Sequence, residues 1–218
     1  MDTKSLNRIT TLRNLMMHKK TFKPFLKSLL LLGVFTLAFQ AIALEKNYKV
    51  EVLVISHPNS VTGLGENWSH DTGTPDTQHA HSLKQAGSGN QDYTTLKKSE
   101  LTLGDAALRI TQKTGAKIVL HTGWRQSIED NQTTPVHIFG GRQLGDSHSL
   151  YELDGTISLQ LSRYLHVGTD LLLQRPQSSG LKPFRIEEKH KIKKDEVLYI
   201  DHPFYGVLIK VTDDKTKA

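Results

Sequence analysis

The sequence contains no cysteine, and this absence excludes two properties that many exported proteins have. A bacterial lipoprotein carries its lipid on a cysteine, so lipid anchoring of that kind is excluded. Disulfide bonds, which are common in oxidising compartments, are excluded as well. The folded part of the chain must therefore be stabilised by an ordinary apolar core, for which about 175 residues are sufficient.

The sequence also lacks a comfortably membrane-spanning apolar run, which takes about 20 residues. A shorter apolar run at residues 29–39 follows four lysines between residues 19 and 27 and leads into Ala41-Ile42-Ala43. This order is typical of a secretory signal peptide. We expect residues 1–43 to be a leader that is cleaved before Leu44, without stable membrane insertion afterwards. An uncleaved anchor is the alternative.

Outside the leader, basic and acidic residues are equal in number. The whole chain carries a formal charge of +6, from 28 basic and 22 acidic residues. Seven of the basic residues and one acidic residue, Asp2, lie in residues 1–43, which leaves 21 of each sign in 44–218. Because general attraction to polyanions needs a basic surplus, the remainder offers no support for nucleic-acid or anionic-membrane binding. Export and the missing disulfides together predict a soluble periplasmic domain over 44–218.

Hydrophobic periodicity predicts the elements of this domain. Residues 47–56 form an apolar strand, and residues 153–161 alternate between apolar and polar side chains, as on an open antiparallel sheet. Further short apolar runs at 117–122, 136–139, 171–174, 184–192, 197–200 and 207–211 predict more strands. Residues 57–99 are rich in polar residues and glycine and are expected to form a long, disordered loop.

A single helix is predicted early in the domain. Thr102 and Asp105 have the spacing of a capping box, apolar residues follow at helical intervals, and Gly115 stands where a helix ends. The connection between the strands at 153–161 and 171–174 is expected within residues 162–169, with Gly168 as a candidate pivot, and residues 193–196 suit a hairpin turn between their neighbours. The fold class is therefore α+β: a mostly antiparallel β-sheet with one early amphipathic helix packed on it.

Enzymatic and metal chemistry find little support. Ten histidines lie after the leader, but none has a zinc-protease spacing such as H-E-x-x-H, and we predict no metal and no cofactor. There is no G-x-S-x-G motif and no glycine-rich phosphate loop. Asp201 and His202 are adjacent on an extended segment, where neighbouring side chains point apart, so a turn before Pro203 is favoured over a catalytic pair.

A binding surface is the remaining hypothesis. Trp124 and Arg125 follow one strand, and Arg163, Tyr164 and His166 follow another. An aromatic ring can cover the apolar face of a sugar, and a guanidinium can hold a carboxylate through two hydrogen bonds. The alternative, equally compatible with the sequence, is that Trp124 and Tyr164 cover the sheet as core or edge residues.

Three separated motifs carry a resemblance to a known family. They are K-I-V-L-H-T-G-W-R-Q at 117–126, L-D-G-T-I-S-L-Q-L-S-R-Y-L-H-V-G-T-D-L-L at 153–172 and L-Y-I-D-H-P-F-Y-G-V at 198–207. In this order and spacing they resemble the CsiV family of peptidoglycan-binding proteins, over most of residues 46–212. Asp201 and His202 join the ligand-binding candidates because they lie in the third motif.

The resemblance implies a function that composition does not reveal. It implies a small, non-enzymatic periplasmic protein that binds peptidoglycan, supports cell-wall biogenesis and acts with an outer-membrane activator of a peptidoglycan synthase. The first alternative is an adaptor in envelope assembly that binds proteins through a sheet edge, without direct contact to peptidoglycan. An envelope hydrolase that uses Asp201 or His202 is a third hypothesis.

Overall fold

Two β-sheets and one α-helix make up the described part of the chain. The structure is a computed structural model that describes residues 46–58, 72–86, 92–145, 150–177 and 180–217. The predicted leader lies outside these residues. The strands are β1 (Lys46–Ser56), β2 (His81–Ser82), β3 (Lys117–Ile128), β4 (Thr133–Leu144), β5 (Leu150–Leu161), β6 (Leu165–Gln177), β7 (Gly180–Lys191), β8 (Val197–His202) and β9 (Tyr205–Asp213). The helix α1 spans Gly104–Thr114, and short 3₁₀ turns lie at Lys98–Glu100 and Lys215–Lys217.

The strands divide between a four-stranded sheet of order β3-β1-β9-β8 and a five-stranded sheet of order β2-β4-β5-β6-β7. All neighbouring strands are antiparallel except the short pair β2 and β4. The α+β fold class with mostly antiparallel strands and one helix is confirmed. The division into two sheets is a feature that periodicity alone did not predict, because it depends on which strands pair.

Strand β1 explains how the layers are arranged. Val50, Val52 and Val54 are completely buried in the large core that both sheets share. Leu53 and Ile55, on the opposite face of β1, are buried in a smaller cluster to which α1 contributes. Since successive side chains of a strand point to opposite faces, the four-stranded sheet lies between the helix and the five-stranded sheet.

The start of α1 differs from the predicted capping box. The residue before the helix is Leu103, and no side chain of the neighbouring sequence caps it. Instead, the carboxylate of Glu51 on β1 accepts hydrogen bonds from the backbone nitrogens of Thr102 and Leu103, each at 2.8 Å from one of its oxygens. The predicted end is confirmed, because Gly115 has a left-handed φ of 69°.

The turn expected within residues 162–169 is confirmed, but its candidate pivot Gly168 and the hairpin at 193–196 were wrong. Gly168 lies within β6, opposite Ser158, and the chain turns at residues 162–164 instead. A Cβ at Gly168 would lie 2.5 Å from Ser158 Oγ, so the glycine permits a close approach between strands. Residues 193–196 do not close a hairpin, because β8 pairs with β9 and belongs to the other sheet.

Part of the segment 57–99 makes regular backbone contacts. The backbone nitrogen of Lys84 donates to Tyr93 oxygen at 2.8 Å, and that of Leu96 donates to Gly123 oxygen on β3 at 2.8 Å. Strand β2 adds a short parallel pair to β4. The polar composition did not predict these contacts, nor that Leu83 and Tyr93 of this segment pack against the large core. Residues 59–71 and 87–91 lie outside the described residues.

Candidate functional site

The seven residues selected from the sequence do not share a cleft. Trp124 has an exposed fraction of 0%, lies in the core between the sheets and donates from Nε1 to Gln126 Oε1 at 2.9 Å. A completely buried indole offers no face to a ligand. The structure therefore agrees with the alternative that the sequence left open, in which Trp124 is a core residue.

Arg125 contributes to the fold through two ion pairs. Its Nε lies 3.1 Å from Asp214 Oδ2, and its Nη2 donates to Glu100 Oε1. Lys49 Nζ also contacts Glu100, at 3.2 Å. Arg125 thus joins β3 to the turn before α1 and to the residue after β9. Its charge is already neutralised by these carboxylates, which makes it a poor partner for an external anion.

Arg163 and Tyr164 lie together in the exposed turn between β5 and β6. Two cations already lie over the Tyr164 ring: Lys191 Nζ is 3.1 Å from its centroid, and Arg163 Cζ is 5.5 Å from it. A sugar stacking on the ring would compete with these cations. His166, at the start of β6, is half-buried, and its buried Nδ1 has no hydrogen-bond partner among the described residues.

Asp201 and His202 lie at the opposite end of the sheets, near the end of β8. The Asp201 side chain is 73% exposed and accepts a hydrogen bond from the Tyr199 hydroxyl at 2.7 Å. His202 is buried, accepts a hydrogen bond on Nδ1 from the Phe204 backbone at 3.2 Å, and its ring contacts aromatic neighbours. Burial lowers the pKa of His202, despite the opposing effect of the Asp201 charge. One side chain thus faces solvent while the other faces the core.

Two cavities that the sequence did not predict lie between β3, an edge of the four-stranded sheet, and β4 of the five-stranded sheet. They have volumes of about 370 and 530 Å³ and follow one another along residues 117–122 of β3 and residues 137–142 of β4. We call this pair of cavities the β3–β4 groove. Two glycines of β4 allow this strand to approach β3 closely. A Cβ at Gly140 would lie 2.9 Å from Leu120 Cδ1, and one at Gly141 would lie 2.9 Å from Val119 Cγ1.

The larger cavity is the cationic end of the groove. Among the described residues, its lining has four basic side chains and a single acidic one, Glu152. The basic residues are His57, Lys117, Arg142 and Arg175. The Arg142 Nε lies 3.0 Å from Glu152 Oε2, and this hydrogen bond raises the pKa of the arginine. Among the described residues, Lys117 and Arg175 have no carboxylate within ion-pair distance. With Arg142 and Glu152 compensating each other, this end retains two positive charges.

Arg175 has an unusual environment for a guanidinium. Its Nη1 is buried and has no hydrogen-bond partner among the described residues, and its Cζ lies 5.9 Å from the centre of the Phe204 ring. A buried donor without a partner costs about 1–3 kcal/mol of stability. Arg175 also lines the larger cavity, where no carboxylate among the described residues compensates its charge.

The smaller cavity is the apolar end of the groove, with an aromatic rim. Phe139 is 47% exposed, and its ring centre lies 4.7 Å from that of Tyr151 and 5.2 Å from that of His137. His137 Nε2 is held by Asp154 Oδ1 at 2.6 Å. Exposed rings of this kind can cover the apolar face of a sugar.

Sequence reasoning overlooked this groove for a specific reason. Arg142 follows Gly140-Gly141 near the end of β4, and Arg175 lies near the end of β6, 33 positions later. Two adjacent glycines before an arginine in a strand were the only local signal. Nothing in the neighbourhood of Arg175 indicates that its side chain meets β3 and β4.

In the described ranges, no group of three or more His, Asp or Glu side chains is arranged to hold a metal ion. No α-helix within these ranges has the length and apolar character needed to cross a membrane.

Comparison with known proteins identifies the family. Residues 25–213 match the family model described as "Peptidoglycan-binding protein, CsiV". No curated protein matched the chain, and no solved structure did. The family match extends over most of the chain, including all nine strands and the helix. The chain therefore belongs to the CsiV family of peptidoglycan-binding proteins.

Proposed function

We propose that this chain is an exported, non-enzymatic peptidoglycan-binding protein that supports cell-wall biogenesis in the periplasm. The observation that carries the proposal is the family match over residues 25–213, whose description names peptidoglycan as the ligand. The pattern of the first 43 residues supports export. An outer-membrane activator of a peptidoglycan synthase is the protein partner that we propose.

The β3–β4 groove is the surface that best suits peptidoglycan. Peptidoglycan joins sugars to short peptides that carry carboxylates, so its binding site needs an aromatic surface and cations close together. The groove has Phe139 at one end and Lys117 and Arg175 at the other. The turn with Arg163 and Tyr164 is a second candidate contact, although its ring is already covered by cations.

The arrangement of the remaining candidates favours binding without catalysis. Asp201 is exposed, whereas His202 is buried among aromatic rings and has a lowered pKa. A nucleophile or water activated by such a pair would need both groups to face the same ligand. The proposal therefore expects no release of soluble peptidoglycan fragments by this protein.

Co-sedimentation with purified sacculi tests this function. We expect the chain recovered from exporting cells to pellet with sacculi above the level of an unrelated periplasmic protein, and the supernatant to contain no released muropeptides. The variant F139A should reduce binding, and the double variant R163Q/Y164A measures the contribution of the turn. Absence of co-sedimentation by the unmodified chain would contradict peptidoglycan binding, and released muropeptides would contradict the non-enzymatic proposal.

One observation favours a protein-binding adaptor as the alternative. Strand β8 is an edge of the four-stranded sheet, and its Val197 and Tyr199 side chains are both nearly half exposed. A partner could add a strand there, because an edge presents unpaired backbone groups. The adaptor function predicts that an envelope protein remains bound after the peptidoglycan has been digested, with no retention on sacculi.

A further inference from the structure

We propose that the cationic end of the β3–β4 groove binds a carboxylate of a peptidoglycan stem peptide, with the Arg175 guanidinium as the principal contact. This inference rests on the proposed function and names the part of the polymer that the groove recognises. It assigns the sugar to the Phe139 end, because an exposed aromatic ring can cover the apolar face of a sugar.

Charge favours an anionic ligand at this end. Lys117 and Arg175 lack a carboxylate partner among the described residues, whereas the only acid in the lining, Glu152, is already bonded to Arg142. His57, which also lines this cavity, lies 3.8 Å from the Asp201 carboxylate and adds no uncompensated cation. A ligand with one or two carboxylates matches the two remaining positive charges. A long polyanion would need the larger basic surface that the neutral domain lacks.

Geometry points to Arg175 as the central group. Arg175 lines the larger cavity, and among the described residues no carboxylate lies within ion-pair distance of its guanidinium, so a carboxylate that enters the cavity displaces no existing ion pair. Its position is rigid, because Arg175 pairs with Lys182 across β6 and β7 and packs on Phe204. A guanidinium that is held in this way is suited to a planar carboxylate.

The experiment compares three single-charge variants on two polymers. R175Q and K117Q each remove one cation of the groove, and R109Q removes an exposed cation from α1. The polymers are intact sacculi and chitin, a polymer of N-acetylglucosamine that carries neither stem peptides nor carboxylates. A soluble disaccharide peptide provides the dissociation constant, and a thermal unfolding curve of each variant establishes that it is folded.

We expect R175Q to weaken binding of the disaccharide peptide by roughly ten- to a hundredfold, as for loss of a charge-assisted hydrogen bond. K117Q should weaken it less, because Lys117 is exposed to solvent, and R109Q should bind like the unmodified chain. On chitin, R175Q and the unmodified chain should bind alike, since this polymer has no carboxylate.

Particular results would overturn the inference. Equal binding of R175Q and the unmodified chain to intact sacculi would do so, as would binding of the unmodified chain to chitin that is as strong as its binding to intact sacculi. If R175Q does not fold, K117Q provides the decision, because unchanged binding by this exposed variant then contradicts the assignment. Failure of the unmodified chain to bind intact sacculi is a separate result, which contradicts peptidoglycan binding itself.

Discussion

Glu51 is the most connected buried charge among the described residues. Its carboxylate accepts hydrogen bonds from the backbone nitrogens of Thr102 and Leu103, from Thr102 Oγ1 at 2.9 Å, and contacts His121 Nε2 at 2.8 Å. Burial raises the pKa of Glu51, but the hydrogen bonds from His121, Leu103 and Thr102 together outweigh that effect and lower it below the ordinary 4.5. The ionised form is thus the one that joins β1 to the start of α1.

The variant E51Q should destabilise the protein by about 1–3 kcal/mol, because an amide cannot accept all of these hydrogen bonds. A carboxyl group with a lowered pKa stabilises the fold fully above its unfolded pKa, and this contribution is lost as the pH falls through the folded pKa. We therefore expect E51Q to flatten the loss of stability below pH 4.5, measured by denaturant unfolding at several pH values.

The exposed carboxylate of Glu196, which contacts Lys193 at 3.3 Å, provides the control. E196Q should change the free energy of unfolding by no more than about 0.5 kcal/mol, as is usual for surface ion pairs. Equal effects of the two variants would contradict a special role of Glu51.

His202 contributes to the pH dependence of stability in a separate pH range. Because its pKa is lowered in the folded state, stability decreases as the pH falls through 6.5, and both variants should retain that decrease.

At the scale of elements, the pairing of β5 with β6 depends on Gly155. This residue has a φ of 151°, and a Cβ at its position would lie 2.1 Å from the Asp170 carbonyl oxygen and 2.8 Å from Leu171 Cα. Both obstacles are backbone atoms of β6, so no side chain can move aside. The two strands can therefore approach in this register only if residue 155 lacks a side chain.

We expect G155A to destabilise the fold by about 1–3 kcal/mol or more, since about 1–3 kcal/mol is the usual cost of overpacking. G104A provides a matched glycine substitution, because a Cβ at Gly104 on α1 meets nothing within 4 Å. That variant should leave the thermal midpoint unchanged or raise it, since alanine is favoured in helices. A thermal midpoint for G155A equal to that of G104A would show that β5 and β6 tolerate the side chain.

At the scale of the whole molecule, the positive charge and the described domain belong to different parts of the chain. The basic surplus lies in residues 1–43, and the described domain begins at Lys46, in a remainder with equal numbers of basic and acidic residues. Any attraction for an anionic polymer must then come from a few placed cations. The two uncompensated cations of the β3–β4 groove are the clearest example of such placement.

The leader hypothesis predicts a defined N-terminus. We expect mass spectrometry of the periplasmic protein to show a chain that starts at Leu44, because Ala41 and Ala43 are the small residues that a signal peptidase requires. A43F should block processing, whereas I42V, at the intervening position, should be processed normally. A retained N-terminus on the unmodified protein in the membrane fraction would instead support an uncleaved anchor.

The sequence by itself determined the α+β class, most of the strand positions and the end of α1. These features are local, because a two-residue period reports which side chains of a strand are buried, and a glycine after a helix reports its C-terminus. It also carried the family resemblance. Thus β1, β5 and Gly115 were each recognised from neighbouring residues alone.

The tertiary structure decided how strands pair and which side chains meet. Residues 193–196 read locally as a hairpin but carry the chain between sheets, and α1 is capped by Glu51, some 50 positions away, rather than by Thr102. The sequence around Trp124 suggested a ligand contact, but the tertiary structure buries its side chain in the core. Lys117, Arg142 and Arg175 come from three strands, and only the packing of two sheets gathers them into one groove.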